Sequence, residues 1–196
     1  MTLDPGYFDA MYADDADPWG FASRWYERRK YALSLALLPR PRYGDAFEPG
    51  CSIGVLTAGL AGRCDRLLAC DGAEAAVEQA RWRAPGARVE RRVMPRDWPG
   101  GRFDLIVLSE LLYYFDDADL ARVLELAAAS LRPGGTVLAV HWRHPVAAYP
   151  KSGDEVHAAL ADLPLTTAAS HCETDFRADV LVAGDPPTPA AAEGLV

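Results

Sequence analysis

From Asp45 to His141 the chain alternates short apolar runs with amphipathic stretches, and no other feature restricts its fold as strongly. The runs Asp45 to Glu48, Arg66 to Cys70, Arg88 to Val93, Phe103 to Leu108 and Thr136 to His141 read as strands. Between them, Ile53 to Arg63, Glu74 to Arg83 and Ala118 to Leu131 carry helical spacing. Strands separated by helices imply crossover connections, hence a parallel sheet with helices on its faces. A helix from Gly153 to Leu163 and two apolar runs, Leu165 to Ser170 and Arg177 to Ala183, complete the pattern. Two consecutive strands with no helix between them predict a terminal hairpin. The expected fold is therefore a Rossmann-like α/β domain: a seven-stranded, mostly parallel sheet with one antiparallel edge strand.

Ahead of this core, residues 1–40 are polar and aromatic, with a helix from Ser23 to Leu38 that Pro39 and Pro41 end. They read as a helical cap on a core of residues 41–183, in one domain. The Pro/Ala-rich stretch 184–196 has few bulky groups and is expected to be disordered. With 196 residues, half of them hydrophobic, one sizeable core can form.

Charge and cysteine usage narrow the function classes. A net charge of -8 repels phosphate backbones and anionic lipid, so neither nucleic acid nor a membrane is expected as a partner. No apolar run reaches the roughly 18 residues of a span, and Met-Thr-Leu-Asp-Pro lacks signal-peptide character, so a soluble cytoplasmic protein is expected. Cys51, Cys64, Cys70 and Cys172 form no Cys-x-x-Cys pair. His141 and His144 have His-x-x-His spacing, but Pro145 follows and no carboxylate or thiol stands near in sequence, so no metal is expected.

The chemistry concentrates where the first strand ends, in Glu48-Pro49-Gly50-Cys51-Ser52-Ile53-Gly54. Glycines there let a ligand approach the backbone, and the helix start that follows offers unpaired N–H groups. Ser52 and Val55 occupy positions where a dinucleotide fingerprint requires glycine, which argues against a nicotinamide oxidoreductase. Asp71 ends the next strand and emerges on the same sheet edge, where a carboxylate can accept both hydroxyls of a ribose.

Taken with Phe103-Asp104-Leu105-Ile106-Val107-Leu108-Ser109-Glu110, these segments resemble class I methyltransferases that use S-adenosylmethionine. Asp17-Pro18-Trp19, Trp25 to Tyr31, Leu108 to Tyr114 and His141-Trp142-Arg143 resemble more specifically the NodS-like group, N-methyltransferases of amino-sugar oligosaccharides. The resemblance spans residues 7 to 183. It implies that Glu48, Gly50, Cys51, Ser52 and Gly54 line the methionine part of the cofactor, that Asp71 takes the ribose, and that Ser109 stands beside the methyl. It also points to Lys30 for the cofactor carboxylate and to Val93 and Met94 at the adenine, where many relatives carry an aspartate; Asp97 is a displaced alternative.

Removing a proton from an ammonium acceptor needs a base or a lowered pKa, and Glu110 and His141 at the ends of two strands are the candidates. Tyr113, Tyr114, Trp19 and Tyr26 are expected to touch a small-molecule acceptor at the mouth of the sheet. The expected activity is N-methylation of an amine. O-methylation of a secondary metabolite, or cofactor binding without catalysis, would use the same motifs.

Overall fold

The computed structural model describes residues 1–196. Seven strands, β1 (Tyr43–Pro49), β2 (Cys64–Asp71), β3 (Arg88–Arg91), β4 (Phe103–Ser109), β5 (Leu131–Trp142), β6 (Thr166–Cys172) and β7 (Phe176–Val182), form one sheet in the order β3-β2-β1-β4-β5-β7-β6. The pairings from β3 through β5 are parallel. At the other end lies the expected hairpin; β7 runs against both β5 and the outermost β6. Strand order reverses between β1 and β4, so their connections leave in opposite directions and open a crevice beyond Pro49 and Ser109.

Strand β4 explains how one sheet organises two cores. Leu105 to Leu108 are apolar without interruption, as expected for a strand covered on both faces, and successive side chains point to opposite sides. Ile106 and Leu108 join α5 (Asp117–Ser130) and α6 (Gly153–Ala161) through Val123, Leu124, Val156 and Leu160. Leu105 and Val107 face Leu56 and Leu60 of α3 (Val55–Ala61), with Tyr31 and Leu35 of α2 (Trp25–Leu37) packed alongside. Each fully buried leucine or isoleucine contributes about 1.5–3 kcal/mol.

Local signals set the helix ends. Ser152 and Glu155 form a capping box on α6, and Asp116 caps α5 by accepting from the Asp119 amide. Helix α4 (Glu74–Arg83) matches its expected bounds, whereas α3 starts two residues later than Ile53 because Ser52 and Gly54 are in left-handed conformations. Helix α1 (Pro5–Asp14), capped by Asp4 with Pro5 in its first turn, was not anticipated. Beyond Gly184, where disorder was expected, there is one helical turn, α7 (Pro189–Ala192), with no buried residue. No helix is long and apolar enough to cross a membrane.

Candidate active site

The β1–α3 turn is built around positive φ angles. Gly50 has φ +73°, a conformation glycine adopts at no steric cost. Ser52, at φ +49°, has no such freedom and is held from two sides. Its amide donates to Asp71 Oδ2 at 2.9 Å, and its Oγ lies 2.5 Å from the Tyr12 hydroxyl. Asp71 Oδ1 accepts from the Ala73 amide at 3.0 Å. Each carboxylate oxygen so keeps a further acceptor site. Burial raises the Asp71 pKa, opposed by the Ala73, Ser52 and Gly72 amides.

Gly54 serves a different purpose from the one expected of it. At φ +80°, it would place a Cβ 2.7 Å from Ala80 Cα, so its bare backbone is what lets the α3 turn lie against α4. It packs helices and does not line the cavity.

Above the turn lies a cavity of about 490 Å³. Glu48, Gly50, Cys51, Ser52, Asp71, Val93, Met94, Ser109, Glu110, Tyr114 and Trp19 all line it, which gathers most of the residues expected from the sequence. Glu48 is buried, and its Oε2 has no hydrogen-bond partner. Burial pushes its pKa up to about 8; the Thr57 hydroxyl lowers it and Asp71 adds to the rise. Val93, Met94 and Pro95 form an apolar wall. Asp97, the alternative for adenine, is engaged with its own loop, accepting from the Val93 amide at 2.9 Å, and is absent from the lining.

At the other end, Glu110 follows β4 with φ +52°. Its Oε1 accepts from Lys30 Nζ at 2.6 Å, and its Oε2 accepts from the Trp142 amide at 3.0 Å and from the Tyr113 hydroxyl. Three donors, one of them the Lys30 ammonium, therefore hold the Glu110 carboxylate in a fixed orientation at this end.

Four more expectations need correction. Lys30 is buried between Glu110 and Glu27 and is not on the cavity wall, so its charge is already matched within the protein. His141 is fully buried behind the turn Leu112–Tyr114; its Nε2 accepts from the Leu112 amide at 3.3 Å, and burial, His157 and Lys30 hold its pKa well below the usual range. It cannot reach a substrate proton. Tyr113 lies under Tyr114 with its hydroxyl on Glu110, and Tyr26 packs edge-on against Trp142 at 5.7 Å; neither lines the cavity.

The sequence reading missed the N-terminal wall. Leu3 donates to the Tyr114 carbonyl at 2.9 Å, and Thr2 Oγ1 donates to Asp119 Oδ2 at 2.5 Å. Phe8 meets Tyr114 edge-on at 4.9 Å, and Tyr12 reaches Ser52, so this segment closes one side of the cavity. The Asp4-Pro5 pair is a helix-start signal that could have revealed α1. Where α1 docks had no local signal.

Comparison with known proteins agrees with this geometry. A family model described as Nodulation protein S (NodS) matches residues 10–163. Nodulation protein S of Rhizobium tropici is 33% identical over 124 residues, 61% of this chain and 52% of that protein. Its counterpart in Bradyrhizobium diazoefficiens is 35% identical over 119 residues, covering 58% of this chain and 54% of that one. The chain thus spans about half the length of these curated relatives. A crystal structure from Pseudomonas syringae with a provisional methyltransferase name is 51% identical, with TM-score 0.72 over 81% of this chain and 99% of that one. The N-methyltransferase NodS of Bradyrhizobium japonicum WM9, solved with S-adenosyl-L-homocysteine, shares the fold: TM-score 0.83, 23% identity, 92% of this chain and 98% of that one. On the family match and the fold together, this chain belongs to the nodulation protein S (NodS) family.

Proposed function

We propose that this chain is an S-adenosylmethionine-dependent methyltransferase that N-methylates an amine, on an amino sugar or a similar small metabolite, in the cytoplasm. The observation that carries the reading is the buried Glu48 carboxylate with its unpartnered Oε2, in the same cavity as Asp71 and Glu110. An unpaired buried acceptor is costly unless a ligand donates to it, and the ammonium of S-adenosylmethionine would. The free acceptor sites of Asp71 suit ribose hydroxyls, and the wall of Val93, Met94 and Pro95 suits adenine. A cavity of about 490 Å³ is within the usual range for small-molecule sites.

When bound, the cofactor supplies an electrophilic methyl on a sulfonium. The protein's part is alignment and charge. Ser109 and Glu110, ending β4, face the cavity, and Tyr114 and Phe8 offer aromatic surface for the acceptor. Asp4 and Asp119 add negative charge to the wall at this end, which attracts a cationic acceptor. An acceptor ammonium would give up its proton to solvent as it leaves water for the cavity, because desolvation disfavours its charged form. The Bradyrhizobium NodS structure, described as an N-methyltransferase, supports the same reading.

Calorimetric titration with S-adenosylmethionine, S-adenosylhomocysteine and NAD tests the cofactor, and equal or tighter binding of NAD overturns it. Labelled methyl transfer to a panel of amines, amino sugars and phenols tests the acceptor. Products methylated only on hydroxyl oxygen overturn the amine assignment.

A further inference from the structure

Behind the acceptor end of the cavity, three buried polar side chains from three elements form a line. Asp179 of β7, His157 of α6 and His141 of β5 are 3%, 1% and 0% exposed. His157 Nδ1 lies 2.6 Å from Asp179 Oδ2, His141 Nδ1 lies 3.2 Å from His157 Nε2, and the Leu112 amide lies 3.3 Å from His141 Nε2.

The amide at the end of the line settles where every proton sits. It can only donate, so His141 Nε2 carries no proton and accepts. The His141 proton is then on Nδ1 and is donated to His157 Nε2, which leaves His157 protonated on Nδ1 and donating to Asp179. Asp179 also accepts from the Ser170 hydroxyl at 2.5 Å, which further favours its ionised form.

Leu112 opens the one-turn helix Leu112–Tyr114, which carries Tyr113 and Tyr114. The Tyr113 ring stands edge-on to His141 at 5.4 Å and its hydroxyl donates to Glu110; Tyr114 lines the cavity. We infer that His141 is a positioning residue: Asp179 and His157 lock the tautomer in which it accepts from Leu112, and this holds Tyr114 and Glu110 in place on the acceptor side. An apolar side chain at 141 would avoid the cost of burying the His141 imidazole, but it would leave His157 Nε2 without its partner. What it would lack is an acceptor toward Leu112 and a donor toward His157 in one side chain.

The kinetic consequence rests on the methyl-transfer reading, whereas the tautomer does not. Histidine side-chain nitrogen NMR on the resting protein at neutral pH should show His141 protonated on Nδ1 alone. A proton on Nε2, or an imidazolium, overturns the proposal whether or not the protein transfers methyl groups. His141→Leu should raise the acceptor KM about tenfold with the S-adenosylhomocysteine dissociation constant unchanged, on the scale of one buried hydrogen bond lost. His141→Gln, whose amide can accept from Leu112 and donate to His157, should restore most of that loss. A glutamine variant as impaired as the leucine variant, or a leucine variant with normal KM, assigns His141 to packing alone and also overturns it. Should His141→Leu fail to fold, the NMR result still decides.

Discussion

Lys30 of α2 and Glu110 at the end of β4 meet at 2.6 Å, with side chains 2% and 11% exposed, and this pair fastens the helical cap to the carboxyl edge of the sheet. Glu27, one turn back on the helix, adds a second carboxylate at 3.0 Å. Burial pulls the Lys30 pKa down, but Glu110 and Glu27 together push it above its ordinary value, so the ammonium stays charged. The same contact engages one oxygen of Glu110 and orients it in the cavity.

Lys30→Met leaves two carboxylates buried without a countercharge. Breaking such a pair from one side costs about 3–5 kcal/mol, and urea unfolding should register a loss of that order. An unchanged midpoint would mean that the cap does not depend on this pair.

Glu110→Gln keeps the shape of the site and removes its charge. Cofactor groups are proposed to lie on β1 and β2, so S-adenosylhomocysteine affinity should hold while turnover falls by up to roughly a hundredfold, the scale of a misaligned acceptor, because Lys30, Tyr113 and the Trp142 amide lose the carboxylate that fixes this end of the site. Labelled methyl transfer measures it, and full turnover would remove Glu110 from the reaction.

Glu48 makes stability depend on pH. Its folded pKa, about 8, lies above the roughly 4.3 of an unfolded glutamate. The native state therefore holds the proton more tightly, and this contribution is full below pH about 4.3 and is lost as pH rises through about 8. Glu48→Gln should flatten the fall in melting temperature across that window in the ligand-free protein and should weaken cofactor binding. A variant with the same slope as the parent would place the pH dependence elsewhere, with Asp71, also raised by burial, the next group to test.

Asp71→Ala removes the acceptors proposed for the ribose and releases the Ser52 and Ala73 amides. Hydrogen bonds to a charged group contribute about 1.5–3 kcal/mol each, so affinity for S-adenosylhomocysteine should fall at least tenfold by calorimetry. A folded variant with an unchanged dissociation constant would show that another group holds the ribose.

Gly54→Ala meets two penalties, a left-handed backbone and a Cβ 2.7 Å from Ala80 Cα. Together they should remove about 2–5 kcal/mol of stability in denaturant unfolding. A neutral substitution would show that α3 and α4 separate easily.

Much of this molecule was written in local pattern. The unbroken apolar run of β4 and the two-residue and 3.6-residue periods around it specify strands and helices in order, because the backbone repeats of those elements place side chains on faces without reference to the rest of the chain. Parallel crossovers then bring the ends of β1, β2 and β4 to one edge, so Glu48, Asp71 and Ser109 share a cavity as the order of elements implied. Tertiary packing decided the rest. Lys30 faces Glu110 eighty positions away, His141 is sealed behind Leu112, Gly54 makes room for Ala80, and the segment before Tyr12 walls the cavity. No period or turn signal encodes these contacts. They depend on the angle at which a helix docks and on which side chain fills the space left by another, and close packing settles both only when all the elements are in place.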